Sequence, residues 1–249
     1  MNHDIHVHCA EIERCNQRGG RMLSIVDLIE AGTMGHELAA YSQAAISAGA
    51  SFLVGALPGG AGKTTVMGAL LNFVPRDVEL VPAEDETVIE QGLRDRSRRC
   101  CYICHEIGNG SYYAYLWGDA LRRFFDLPGA GHMIVTNLHA DTFDQARRQV
   151  CEENSVPAAA FRRVNLLFFL AVERQAHGSR RRIAAVWESD GTGEHRQVFH
   201  GGAGAPVGSG LVSTGAFEAA GRRIDRLLQA KVRRIEDVRA ALVGLETET

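Results

Sequence analysis

No stretch of the 249-residue chain strings together the roughly 20 apolar residues needed to cross a bilayer. Its first residues are polar and histidine-rich, so they do not read as a secretory leader either. A cytoplasmic protein is expected. Charge of one sign is also lacking: 27 Lys and Arg stand against 30 Asp and Glu, leaving −3 with histidine neutral. That balance argues against broad nucleic-acid binding, although a local basic patch stays open, and no nucleic-acid partner is expected. No internal repeat is visible. A disulfide framework is not expected from the six cysteines in a chain of this kind.

Hydrophobic residues at 45% and charged residues at 23% are ordinary for a soluble globular protein. The length suits one large α/β domain or two small ones. The chain is organised around Ser51-Phe-Leu-Val-Gly-Ala-Leu-Pro-Gly-Gly-Ala-Gly-Lys-Thr-Thr65. Phe52, Leu53 and Val54 read as a buried parallel strand, and Val66, Ala69, Leu70 and Phe73 recur at helical spacing. Between them lies a glycine-rich turn opening a helix, the context of a phosphate-binding loop, where backbone N–H groups and the helix dipole meet an anion. Pro58, Gly59, Gly60, Ala61, Gly62, Lys63, Thr64 and Thr65 are the candidate nucleotide-binding residues. Lys63 would reach the β- and γ-phosphates as a solvated ligand, and Thr64 would place its hydroxyl on magnesium. The motif's first glycine is Leu57 here.

In chain order, residues 1–22 read as a short, flexible N-terminal remnant. His3, His6, His8 and Cys9 could bind a metal there, but a frayed terminus is the plainer reading. Residues 23–48 read as two helices split near Gly32 and Gly35, with Ser24 and Asp27 as a capping signal. A strand over 78–83 ends in Glu84 and Asp85, acids at the end of a strand where open α/β sheets bind ligands. Arg94, Arg96, Arg98 and Arg99 follow, either a solvated basic loop or a source of an arginine for a neighbouring subunit's nucleotide. A third apolar run, 100–106, ends in Glu106, which would orient or deprotonate an attacking water. Cys101 and Cys104 match half a zinc knuckle or a redox pair, but in an apolar run they read as buried small hydrophobes.

A helix is expected over 111–125, with Tyr112, Leu116, Ala120 and Phe124 on one side. A fourth strand, 131–139, ends in Thr136, Asn137 and His139 and would lie between the first and third. A helix over 143–153 follows. Strands over 164–172 and 183–187 around the turn at 177–180 predict a β-hairpin. A glycine-rich loop covers 201–210 and one helix covers 216–245. The fold class expected is α/β, a mostly parallel sheet. The core spans 50–160 of a domain running 23–249, and a hairpin and helical part covers 161–249.

The order of elements resembles the type II/IV secretion ATPase superfamily, the motors of secretion systems, type IV pili, archaella and conjugation. Four signatures carry the resemblance: Gly60-Ala-Gly-Lys-Thr-Thr65; Glu84-Asp85, like the family's Asp box; His105-Glu106-Ile107, like its Walker B; and Gly131-His132 followed by Asn137-Leu-His-Ala140, like its His box. Gly108 stands where the family has an arginine, and the family's N-terminal domain is nearly absent. The resemblance implies a RecA-like P-loop NTPase core and a hexamer using ATP and Mg2+. It further implies catalytic roles for Glu106, Glu84, Asp85 and His139, and an inner-membrane platform protein as partner. An alternative register would place Glu106 in the arginine-rich arm. The register above is preferred because the sheet needs a third strand with an acid at its tip. A nucleotide-binding regulatory or scaffold subunit with little turnover is the competing function. A small-molecule kinase is a third, but no lid sequence is visible.

Overall fold

The computed structural model describes residues 2–16, 19–175, 178–202 and 204–246. Three helices come first: α1 (Asn2–Arg14), α2 (Ile25–Glu30) and α3 (His36–Ser47). They are followed by β1 (Phe52–Gly55), α4 (Lys63–Leu71), β2 (Glu79–Pro82), α5 (Glu86–Arg94) and β3 (Cys100–Cys104). A short ribbon of β4 (Glu106–Ile107) and β5 (Tyr115–Leu116) precedes α6 (Gly118–Asp126) and a 3-10 turn at Leu127–Ala130. Next are β6 (Met133–Leu138), α7 (Phe143–Arg147) with a π-helical continuation at Arg148–Glu153, and α8 (Ala158–Phe161). The chain closes with β7 (Leu166–Gln175), β8 (Gly178–Glu188), β9 (Arg196–Phe199), α9 (Thr214–Gln229) and α10 (Ile235–Glu246).

Seven strands form one sheet in the order β2-β3-β6-β1-β7-β8-β9. β2, β3, β6, β1 and β7 are parallel, and β8 and β9 add on antiparallel. Among the parallel strands in chain order the arrangement is second-third-fourth-first-fifth. The fourth therefore lies between the first and the third, which is the RecA-like order. β1 is central, with Phe52 level with Val135 of β6 on one side and Leu166 of β7 on the other.

Side chains of a strand alternate between faces, and here the alternation sorts the core into two layers. Phe52, Val54, Cys101, Ile103, Met133, Val135, Leu166 and Phe168 pack against a layer that includes α2, α3, α4 and α9. Leu53, Tyr102, Cys104, Ile134, Leu167 and Phe169 pack against residues of α5, α6 and α8. Cys101 and Cys104 thus lie on opposite faces, both fully buried, and act as small hydrophobes. Burial pushes the Cys104 thiol up to about 12.

Several expectations are corrected. The N-terminal stretch expected to fray is the helix α1, on which Cys9 and Ile12, with Cys15 just beyond, form a buried stripe at helical spacing that its polar composition conceals. His8 is buried as well, with its Nε2 3.1 Å from the Leu71 carbonyl, and burial pushes its pKa down to about 3. His6 is exposed and the side chain of His3 lies outside the described residues, as does His177 of the expected hairpin turn. Residues 111–117 are not helical; α6 begins only at Gly118, because Tyr115 and Leu116 pair with Glu106 and Ile107 instead. The C-terminal helix is two helices. Lys231 takes a left-handed φ of 52°, and its N–H bonds Leu228 O while the Val232 N–H bonds Leu227 O, the Schellman close that usually employs glycine. β9 was not expected at all.

Candidate active site at the strand tips

β1 runs directly into the loop that precedes α4. Gly60 and Gly62 hold φ of 80° and 97°, the left-handed turns that curl the backbone toward the helix. Leu57 does not obstruct this. Among described non-glycine residues positive φ occurs only at Ala114, Ser155 and Lys231, so position 57 makes no demand for glycine. Its N–H donates to Asp141 Oδ1 at 2.6 Å, while its side chain is 47% exposed. Gly62 caps α4 without any side-chain bond. The first-turn N–H groups of a nine-residue helix are therefore left pointing outward.

A cleft of about 550 Å3 lies over this loop, lined by Gly59 through Thr65 together with His105, Glu106, Tyr115 and His139. Pro58 is exposed beside it and does not line it. Lys63, expected as a solvated ligand, is buried with 8% exposure. Its Nζ donates to Ala56 O at 3.2 Å and pairs with Glu106 Oε1 at 2.9 Å. His139 Nε2 lies 2.9 Å from the same Oε1, and its Nδ1 is 3.4 Å from Lys63 Nζ. With the Nε2 proton facing Glu106, Nδ1 is an acceptor toward the lysine. Tyr115 donates to Glu106 Oε2 at 3.0 Å. Three groups drawn from α4, β5 and the end of β6 thus meet around the one carboxylate of β4.

Glu106 is not the last residue of β3, as expected. β3 stops at Cys104, and Glu106 opens the separate β4 ribbon just beyond the sheet. Glu84 and Asp85, expected as catalytic, do not line the cleft. Asp85 caps α5, its Oδ1 accepting the Val88 N–H at 3.0 Å. Glu84 accepts from the Tyr113 hydroxyl, whose ring stands 5.1 Å from that of His105. Burial pushes the His105 pKa down. Asn137 is fully buried and donates to the His105 carbonyl at 2.9 Å, tying the tip of β6 to the start of β4.

The basic run Arg94–Arg99 does not reach the cleft either. Arg94 pairs with Glu90, Arg98 with Glu79, Arg99 donates to Gly49 O, and Arg96 is exposed. The arginines that do line the cleft are Arg21, Arg180 and Arg181, and Arg181 Nε donates to Gly60 O at 3.2 Å. Sequence reading passed over them. The run Arg180-Arg-Arg182 beside the hairpin turn is the signal for two of them, and Arg21 has none.

No protein-family model matches the chain, and no curated protein matches it. Solved structures similar to it include the VirB11 ATPase from the Brucella suis type IV secretion system in complex with sulphate, at 22% identity and TM-score 0.46, covering 65% of this chain and 54% of that one. The ATPase DotB of Yersinia pseudotuberculosis follows at 10% identity and TM-score 0.43, with 76% of this chain and 53% of that one covered. DotB of Legionella pneumophila gives 10% and 0.42, with 81% and 58% covered. This chain spans about half the length of each. The RecA-like α/β assignment itself rests on the chain's own strand order and on the glycine-rich turn that leads from its central strand into α4.

Proposed function

We propose that the chain binds ATP on the loop Gly59–Thr65 and hydrolyses it at Glu106. The observation that supports this is the placing of Lys63 Nζ and His139 Nε2, each 2.9 Å from Glu106 Oε1, at the uncapped start of α4. An ammonium, open backbone N–H groups and a carboxylate at a strand tip are the parts phosphoryl transfer needs. Phosphate oxygens entering the loop compete with Glu106 for Lys63. Once Lys63 turns to the phosphate, the place it held on Oε1 opens to water, and that oxygen accepts the water's proton. The water oxygen bonds to the γ-phosphorus as the bond to the bridging oxygen breaks, giving ADP and phosphate. His139, sharing Oε1, stays beside the γ-phosphate and responds to its presence. Glu84 and Asp85 support the β2 tip rather than touching the reacting atoms.

Thr64, which lines the cleft at the start of α4, is the residue whose hydroxyl would hold a magnesium ion carried in on the nucleotide. Among the described residues no group of three or more His, Cys, Asp or Glu forms a protein-only metal site. When bound it would neutralise charge developing on the phosphates.

The motor role, a hexamer, cytoplasmic placement and an inner-membrane platform partner are proposed on the motif resemblance. No helix among the described residues is long and apolar enough to cross a membrane. A phosphate-release assay alongside native mass measurement tests the reading. Turnover by a homo-oligomer is expected. ATP binding without turnover would overturn hydrolysis and favour the nucleotide-binding regulatory subunit.

A further inference from the structure

The carboxylate of Glu106 has a second, separately built support. β4 and β5 pair in parallel with Glu106 level with Tyr115. The His105 N–H donates to Ala114 O at 2.8 Å and the Gly108 N–H to Leu116 O at 3.1 Å, so the ribbon is bonded on both sides of Glu106. Opposed residues of a paired ribbon present their side chains to the same side. The chain reaches this pairing through Ala114, which holds a φ of 53° that non-glycine residues rarely adopt. A Cβ at Gly108 would lie 3.3 Å from Tyr115 Cδ2, so the glycine leaves the ring room to lie along the ribbon. Burial and the neighbouring Glu106 charge push the Tyr115 hydroxyl up to about 12; at neutral pH it remains a donor.

We propose that Tyr115 is a positioning residue for Glu106: its hydroxyl, 3.0 Å from Oε2, fixes the carboxylate's rotation so that Oε1 faces Lys63 and His139. The last torsion of a glutamate is a broad, roughly two-fold rotor. When Lys63 turns to phosphate, the carboxylate loses one of its partners. Tyr115 then keeps it from rotating, and the same oxygen stays aimed at the water. This rests on the reading that Glu106 serves ATP hydrolysis.

Tyr115→Phe keeps the ring against Gly108 and removes only the donor. Losing one hydrogen bond to a charged group predicts a kcat about ten-fold lower, with KM and ATP affinity within about two-fold and a modest drop in Tm. In a Glu106→Gln background the same substitution should add nothing. A wild-type kcat in Tyr115→Phe, or the same fold-loss in both backgrounds, overturns the positioning role and leaves the hydrolysis reading standing. If the wild-type protein does not turn over ATP, it is the hydrolysis reading that fails. The positioning contact is then read from the carboxyl 13C resonance of Glu106. Tyr115→Phe shifts that resonance if the bond holds, and an unmoved resonance overturns it.

Discussion

β6 carries a histidine close to each end, and the two ends of this strand do different work. His132, just before its base, is buried. Its Nδ1 accepts the Cys100 N–H at 3.1 Å, and its Nε2 donates to the Gly92 carbonyl at 2.9 Å. His139, just past its tip, is about half exposed and shares the Glu106 carboxylate with Lys63. Both belong to one sequence signature. A histidine with both nitrogens committed to backbone locks β3 and α5 together and has nothing left for a ligand. One whose partners are a lysine and a carboxylate in a cleft is set up to exchange them. The same contrast separates Cys101 and Cys104, inert on two faces of the sheet, from the residues lying beyond the strand ends.

The sharpest break of this contrast is at Lys63. Lys63→Ala should cost about 100-fold or more in ATP affinity by calorimetry, the scale of a lost charged partner. It should also lower the melting temperature, because Lys63 is a buried partner of Glu106. Unchanged affinity would dismantle the phosphate-loop reading. Next comes the histidine pair. His139→Ala should lower turnover about ten-fold or more while ATP affinity stays within a few-fold. His132→Ala should leave turnover per folded molecule alone and destabilise the fold by ~1–3 kcal/mol, the penalty of unpaired buried backbone groups. Chemical denaturation and steady-state assays on the same samples read both. If the two variants behave alike, the distinction between tip and base is lost.

An effect seen only as pH falls belongs at the pole away from the tips. Burial, then the nearby Arg239 charge, lowers the His8 pKa from 6.5 to about 3 against the opposing Leu71 carbonyl contact. Between those values the unfolded chain binds more protons than the folded one. The stability His8 contributes is therefore complete above about pH 6.5 and lost as pH falls toward 3. His8→Gln should flatten that stretch of a Tm–pH curve. An unchanged slope would mean that the α1 contact opens before the ring titrates.

Most of the fold was legible in the sequence because a parallel sheet buried on both faces writes itself as short apolar runs. β1, β2, β3 and β6 follow from them, the placing of β6 between β1 and β3 follows from the class of sheet they imply, and the Ser24–Asp27 spacing marks the capping box, with the Ser24 N–H donating to Asp27 Oδ2 at 2.8 Å. The misreadings have local causes. Tyr112, Leu116, Ala120 and Phe124 fit a helical period, but pairing of Tyr115 with Glu106 across nine positions overrides it. Tyr112 ends up 69% exposed. Lys231 sits where a helix ending announces itself with glycine. In the site, Lys63, Glu106 and His139 were readable from their places at strand tips and at the start of a helix. Tyr115, Arg181 and Asp141 were not, because their roles depend on a ribbon, a hairpin and a side-chain bond to the Leu57 N–H that no spacing encodes.

The claim beneath all of this is that Glu106 accepts the proton from the attacking water. Single-turnover hydrolysis in wild type and Glu106→Gln, with ATP affinity measured on the same preparations, tests it most directly. The glutamine keeps the size and most of the hydrogen bonds but not the base. The predicted result is affinity within a few-fold and hydrolysis slower by about 100-fold or more. An active wild type matched by an equally active Glu106→Gln would contradict it and return Glu84 and Asp85 to the place Glu106 now holds.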